Sequence, residues 1–300
     1  MQTYNYKKGV PPLMLCLLLW GFQPLYWYIC PPHIDTLLLM TLRIVWAAVF
    51  CVIILAFQGK LSQLADVFKD RKKLSREIPA SFFLAVDWFV YLFAVKNGKV
   101  QQCSLGYYIM PLVQFLFGAL IFREKFHKLY FVMLGLIIVG IILSVNGFGE
   151  IPYVTIILSL SFAVYAAIKK TLDIDSIVST TAEILIMVPF ALVYIIFFSN
   201  IKTAVSGIKV TDYLLLIGSG IVTAVPMLLY AISVKNLPMM MCGLFEYFSP
   251  TFSLVCSRIM GESFNRDKLL SFLFIWAGVA LYIVFLLRNK NRKTRSGESE

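Results

Sequence analysis

Charge is scarce in this sequence. Asp, Glu, Lys and Arg make up 14% of its 300 residues, where a soluble domain carries about 25%. That shortage excludes an ordinary water-soluble fold. Histidine is scarcer still: only His33 and His127 occur, too few to build a metal-ligand cluster. The six cysteines (Cys16, Cys30, Cys51, Cys103, Cys242 and Cys256) form none of the close pairs of a zinc or redox motif. They read as small apolar packing residues. No G-x-x-x-x-G-K-[ST] loop is present to cradle a nucleotide, which argues against ATP-driven transport by this chain alone. The polar set also lacks a recognisable nucleophile–base pair, so an enzyme is the weakest reading and no cofactor is expected.

Apolar residues fill the space that charge leaves. They make up 60% of the chain, and apolar runs continue to residue 287. A secretory signal would be one short apolar run ahead of a polar mature protein, so that reading is excluded. A membrane helix needs about 20 largely apolar residues. Ten such spans are expected, at 10–29, 34–57, 78–95, 103–122, 129–148, 151–168, 178–198, 212–234, 239–257 and 268–287. The fold class is therefore an all-α integral membrane protein with ten transmembrane helices. Residues 146–152 (NGFGEIP) read as a tight turn. The link 58–77 reads as irregular and holds Lys60, Lys69, Arg71, Lys72, Lys73 and Arg76.

Basic residues set the direction of insertion. With the N-terminus placed in the cytoplasm, nineteen Lys and Arg fall on that side, Lys169 and Lys170 among them, against seven on the other. Positive residues are retained inside, so both termini are expected to be cytoplasmic. The net charge of +11 is then an orienting charge, and no nucleic-acid partner is implied. The basic tail 288–300 is expected to be disordered and to touch anionic lipid head groups.

The chain repeats itself. Residues 91–111 (YLFAVKNGKVQQCSLGYYIMP) and 230–250 (YAISVKNLPMMMCGLFEYFSP) align without a gap at an offset of 139, with eight identities, Tyr91/Tyr230 and Tyr108/Tyr247 among them. Glu124 and Glu262 correspond one residue out of step. Five spans separate the copies, and five is odd, so they insert upside down relative to one another. Residues 1–148 and 149–287 are expected to be two inverted five-helix repeats. Secondary transporters use this architecture, with the site near the midplane between the halves.

Ionisable residues inside apolar spans are costly and default to function. Four stand out: Arg43, Asp87, Glu183 and Glu246. Arg43 and Glu183 occupy equivalent spans and are candidates to meet across the pseudo-two-fold axis. Arg43 then reads either as an anion contact or as a structural partner of Glu183. Asp87 has Tyr91 on its helical face; Glu246 is flanked by Gly243 and Pro250. Trp20, Tyr91, Tyr108, Tyr230 and Tyr247 complete the candidate substrate cavity. Tyr28, Tyr153 and Tyr213 read as aromatic-belt residues. Pro24, Pro111, Pro189, Pro226 and Pro250 fall inside spans, as kinks for a gate or for packing. Gly135 and Gly140 read as points of close helix contact.

The stretches LLLWGFQPLYW (17–27), SLGYYIMPL (104–112), GIVTAVPMLLY (220–230) and LFEYFSPT (244–251), with the lone Arg43, resemble RarD-type permeases. These belong to the EamA group of the drug/metabolite transporter superfamily. The resemblance covers about residues 9–287. It implies ten helices in two inverted halves, carrier-type export or exchange of small metabolites or drugs, and a bacterial inner membrane. The sequence departs from the family pattern where Asp87 replaces a common Asn, Gln102 a common acid and Glu246 a common Gln. The expected function is a secondary carrier of a small organic substrate, with Asp87 or Glu246 as a proton carrier. The competing class is a non-transporting regulatory or scaffolding membrane protein.

Overall fold

The computed structural model describes residues 4–31, 34–96, 100–124, 129–145, 153–199, 201, 206, 209–259 and, near the end, 273–274, 276–278, 280–281 and 284. The elements there are helices: α1 (Tyr6–Ile29), α2 (Thr36–Phe57), α3 (Leu61–Lys69), α4 (Arg71–Lys96), α5 (Val100–Leu120), α6 (Leu129–Val145), α7 (Tyr153–Thr171) and α8 (Ser176–Phe197). They continue as α9 (Val210–Asn236), α10 (Met239–Glu246) and α11 (Phe248–Ile259). By length and apolarity α1, α2, α7, α8 and α9 qualify as membrane spans. α5 adds a shorter apolar stretch, Gly106–Leu120. His33, His127, Lys99, Glu262, Arg266, Lys268, the 146–152 turn and the 288–300 tail lie outside the described residues. So do most positions of the span expected at 268–287, and the side chains of Cys103 and Gly140.

Two aspartates start equivalent helices in the same way. Asp35 caps α2 by accepting from the Leu37 and Leu38 amides at 3.1 and 3.4 Å. Asp175, 140 positions on, caps α8 through the Ile177 and Val178 amides at 3.0 and 3.2 Å. Each cap satisfies orphan donors of a first helical turn. Each is also held by the far end of the other helix. Tyr194, late in α8, donates to Asp35 at 3.2 Å, and Lys60, just past α2, donates to Asp175 at 2.9 Å. Burial pushes the Asp175 carboxyl up, but the Lys60 ammonium and the two amides outweigh it and hold it below the usual range.

The link 58–77 is helical, contrary to expectation. Leu64 and Val67, one turn apart on α3, bury against Leu55, Val178 and Ala182. A nine-residue helix is marginal alone, and this apolar stripe supplies its tertiary anchor. The expected ninth span is broken into α10 and α11 at Tyr247. Pro250 has no N–H to give to the Glu246 carbonyl four residues back.

Helices pack in matched pairs. α1 lies on α9 as α7 lies on α4; α1 meets α11 as α7 meets α5. α2 runs against α8, and α5 against α10. The largest core cluster joins residues from eight helices, among them Leu17, Leu84, Met133, Tyr165, Met187, Tyr230 and Leu244. Two glycines permit the closest approaches to another helix's backbone. A Cβ on Gly220 would stand 2.3 Å from the Trp46 carbonyl carbon, and one on Gly243 would stand 2.6 Å from the Pro111 carbonyl oxygen. Gly135, expected to serve this purpose, has nothing within 4 Å of its Cβ position. It lies on a stretch of α6 that also carries the exposed Phe131, Val132 and Ile138.

Candidate functional site

The candidate residues fall into separate groups. In the first, Trp20 of α1 stacks obliquely on Tyr230 of α9 at 5.3 Å and meets Phe162 of α7 edge-on at 5.8 Å. Phe162 in turn lies 5.4 Å from Tyr230 and 5.5 Å from Tyr165. Such pairs favour tilted and edge-to-face geometry. Below this aromatic wall the Gln114 amide donates to both carboxylate oxygens of Glu246, at 2.9 and 2.7 Å. Tyr230 donates to the Gln114 carbonyl at 3.2 Å. Gln114 and Glu246 are both buried. Glu246 therefore ends α10 at the helix break with its side chain already held.

In the second group, the Arg43 guanidinium lies over the Trp88 ring at 4.4 Å and near Trp27 at 5.7 Å. These are cation–π distances. Asp87, Tyr91 and Tyr107 are its electrostatic neighbours. Asp87 is buried and faces Ser161 of α7. Among the described residues, the Nε of Arg43 and the Oδ1 of Asp87 are buried without a hydrogen-bond partner. Buried polar atoms are normally paired, so this group retains capacity for a polar ligand.

Tyr108 and Tyr247, equivalent in the repeat, do meet: the Tyr247 hydroxyl donates to the Tyr108 carbonyl at 2.9 Å. This contact ties α5 to the turn between α10 and α11.

Glu183 belongs elsewhere, and the expected meeting with Arg43 is overturned. Its ion pair is with Lys169 at 2.8 Å, both side chains fully enclosed. Tyr165 donates to its other oxygen at 3.2 Å. The reason is geometric. Arg43 and Glu183 each stand seven residues into their helices, about 10 Å at 1.5 Å per residue. The starts of α2 and α8 lie at opposite ends of the bundle, so equal depth separates the two. Lys169 and Lys170, counted by sequence among the cytoplasmic-side charges, are buried at the end of α7. Lys170 donates to the Val234 carbonyl at 3.2 Å and to that of Leu237, and stands 3.9 Å from Glu124. Its ammonium also lies 4.9 Å from the Tyr4 ring and 5.4 Å from that of Phe122.

Sequence reasoning passed over Gln114, Trp88, Phe162, Tyr165 and Lys169. A signal existed for the last three, which lie at helical spacing in SFAVYAAIKK (161–170). Gln114 lies one turn from Pro111, in the same apolar run.

Comparison with known proteins places this arrangement. The EamA-like transporter family matches twice, over residues 7–146 and 151–284. A Bacillus subtilis (strain 168) protein named Uncharacterized transporter YojE is 36% identical over 287 residues, 94% of this chain and 95% of its own length. Protein RarD of Escherichia coli (strain K12) is 26% identical over 297 residues, 98% of this chain and 100% of its own. A solved crystal structure superposes with a TM-score of 0.75 at 17% identity, over 95% of this chain and 99% of the other, and shares the fold. A multi-pass apolar bundle with polar groups gathered inside it suits that company. The chain is a membrane transporter rather than an enzyme, and it belongs to the EamA-like transporter family.

Proposed function

We propose that the protein is a secondary carrier that exports or exchanges a small organic metabolite or drug by alternating access. The supporting observation is the matched helix pairing, in which swapping the partners of α1 for those of α7 reproduces the same contacts. The paired caps at Asp35 and Asp175 support the same two-fold relation. Two halves related in this way have two equivalent packings, one open to each side. On this reading residues 1–148 and 149–287 are inverted five-helix repeats, giving ten spans in a bacterial inner (plasma) membrane.

The substrate lies between the aromatic wall of Trp20 and Tyr230, with Glu246 beneath it, and the Arg43, Asp87 and Tyr91 group. Unfilled capacity at Arg43 Nε and Asp87 Oδ1 favours a ligand with both an acceptor and a donor, an amphipathic or amino-acid-like molecule. Tyr108 and Tyr247 act as a joint of the moving halves, and Glu183 supports them from outside the cavity.

The test is a thermal-shift screen of metabolites on the purified protein, since a ligand of the folded state raises stability. Counterflow of a hit in proteoliposomes follows. External substrate accelerates exchange by a carrier; equal rates with and without it identify a scaffold instead.

The basic-residue asymmetry also predicts orientation. Single cysteines placed in 58–77 and in 288–300 should be shielded from impermeant maleimide in intact cells. One placed in 146–150 should be labelled. Labelling of the tail and the 146–150 turn from the same side would overturn the ten-span arrangement.

A further inference from the structure

Between α4, α7 and α8 two carboxylates are enclosed with one ammonium in bonding reach. Lys169 bonds Glu183 and the Ser179 hydroxyl, each at 2.8 Å. Glu77 of α4 is equally enclosed, with 0% of its surface exposed, yet among the described residues neither of its carboxylate oxygens has a partner within full hydrogen-bond geometry. Its titratable and charged neighbours are Lys169 and Tyr165 from α7, Glu183 from α8 and Lys235 from α9, with the Ser179 hydroxyl beside it. Lys235 directs its ammonium to the Ile174 carbonyl. One lysine therefore bonds one carboxylate, and among the described residues the second has no cation bonded to it.

An ionised carboxylate without donors is strongly disfavoured away from water. Two carboxylates that share a site resolve the conflict by taking up a proton. We infer that Glu77 and Glu183 hold one proton between them against Lys169, making this cluster a proton-binding site of the transporter. The proton bridges Glu77 to Glu183, while the Ser179 hydroxyl, which accepts from Lys169, has its O–H directed at Glu77. Glu246, by contrast, already accepts from Gln114, and Asp87 faces Arg43.

The site also lies at a joint. Glu77 comes from the first half and Glu183 from the second, across the contact of α4 with α8. Ser81, one turn along α4, closes that contact by donating to the Glu183 carbonyl at 2.9 Å. Loss of the proton sets two negative charges against each other there and loosens the two halves. This role in coupling rests on the carrier reading; occupancy by a proton does not.

Infrared absorbance of the purified protein in detergent tests occupancy through the stretching band of a protonated carboxyl. Wild type should lose one such band as pH is raised from about 5 to about 9, between ordinary carboxylate and lysine titration. Glu77→Gln and Glu183→Gln should each abolish it, because the remaining carboxylate pairs with Lys169 alone. Asp87→Asn and Glu246→Gln should leave it. Lys169→Met should add a second band wherever it folds, and the pH titration of the wild-type band keeps the test decisive if a variant fails to fold. Stability follows in a definite sense: the folded state holds a proton that the unfolded chain has released, so stability is greatest at low pH. It declines as pH rises, with the unfolding constant growing about tenfold per unit for one proton, and Glu77→Gln flattens that slope. Absence of the band from wild type, its persistence in both glutamate variants, or its appearance only when sodium is replaced by choline overturns the site. Failure of counterflow overturns the carrier reading alone.

Discussion

Lys169→Met should be among the most damaging single substitutions in the chain. It leaves Glu183 enclosed without its cation, and breaking a buried pair by removing one partner costs about 3–5 kcal/mol. The midpoint of thermal unfolding in detergent should fall by roughly 10 °C. Adding Glu183→Gln to Lys169→Met should recover most of the loss, since removing both charges of a buried pair is often near neutral. Arg43→Gln supplies the contrast. Arg43 contributes ring contacts to Trp88 and Trp27, worth about 0.5–2 kcal/mol, and Asp87 is its electrostatic neighbour rather than a bonded partner. A variant at Arg43 as unstable as Lys169→Met, not rescued by any change at Glu183, would contradict this assignment of partners.

That contrast marks the limit of what the sequence discloses. Apolar spans are legible because lipid imposes length and composition: seven of the ten expected spans coincide with described helices to within a few residues, and five of those qualify as membrane spans by length and apolarity. The residue Glu246 was legible for the same reason, as a charge where none belongs. Its partner Gln114 was not, because a neutral amide in an apolar run carries no comparable signal. The burial of Lys169 and Lys170 was not legible, because a charge just past an apolar run looks like a loop residue, and only the fold reveals the carboxylate and carbonyls that draw it inward. The Arg43–Glu183 pairing failed through depth: equal positions in inverted helices are far apart along the membrane normal. α3 was missed because a nine-residue amphipathic helix buries few residues, and six basic residues dominate its surroundings. Its Leu64 and Val67 spacing was readable in hindsight.

On the carrier reading, with both termini cytoplasmic, Glu124 closes the inner end of the bundle. Glu124 lies just past α5 and caps another helix: the Met239 and Met240 amides of α10 donate to it at 2.6 and 3.0 Å. A carboxylate at a helix N-terminus is favoured by unpaired amides and by the helix dipole. Tyr4 donates to the same carboxylate at 3.1 Å, and Lys170 stands beside it. The turn that delivers Glu124 is strained. Arg123 has a φ of 50°, and the Glu124 amide reaches back to the Gly118 carbonyl at 2.9 Å. A bulky residue there persists only where its surroundings over-determine it. The cluster joins the first half to the start of α10 in the second, so an inward-opening motion must break it. Hydrogen bonds to a charged group are worth about 1.5–3 kcal/mol each, so losing two favours opening by more than about a hundredfold. Cys242, wholly buried on α10, reports that opening. In a chain retaining Cys242 alone, Glu124→Ala should raise its maleimide labelling in inside-out vesicles at least about tenfold, a conservative fraction of that shift. In a chain retaining Cys51 alone, buried between α2 and its neighbours, labelling should not change. An equal rise at both cysteines would mean general loosening, and Glu124 would then be a packing residue rather than the latch of an inner gate.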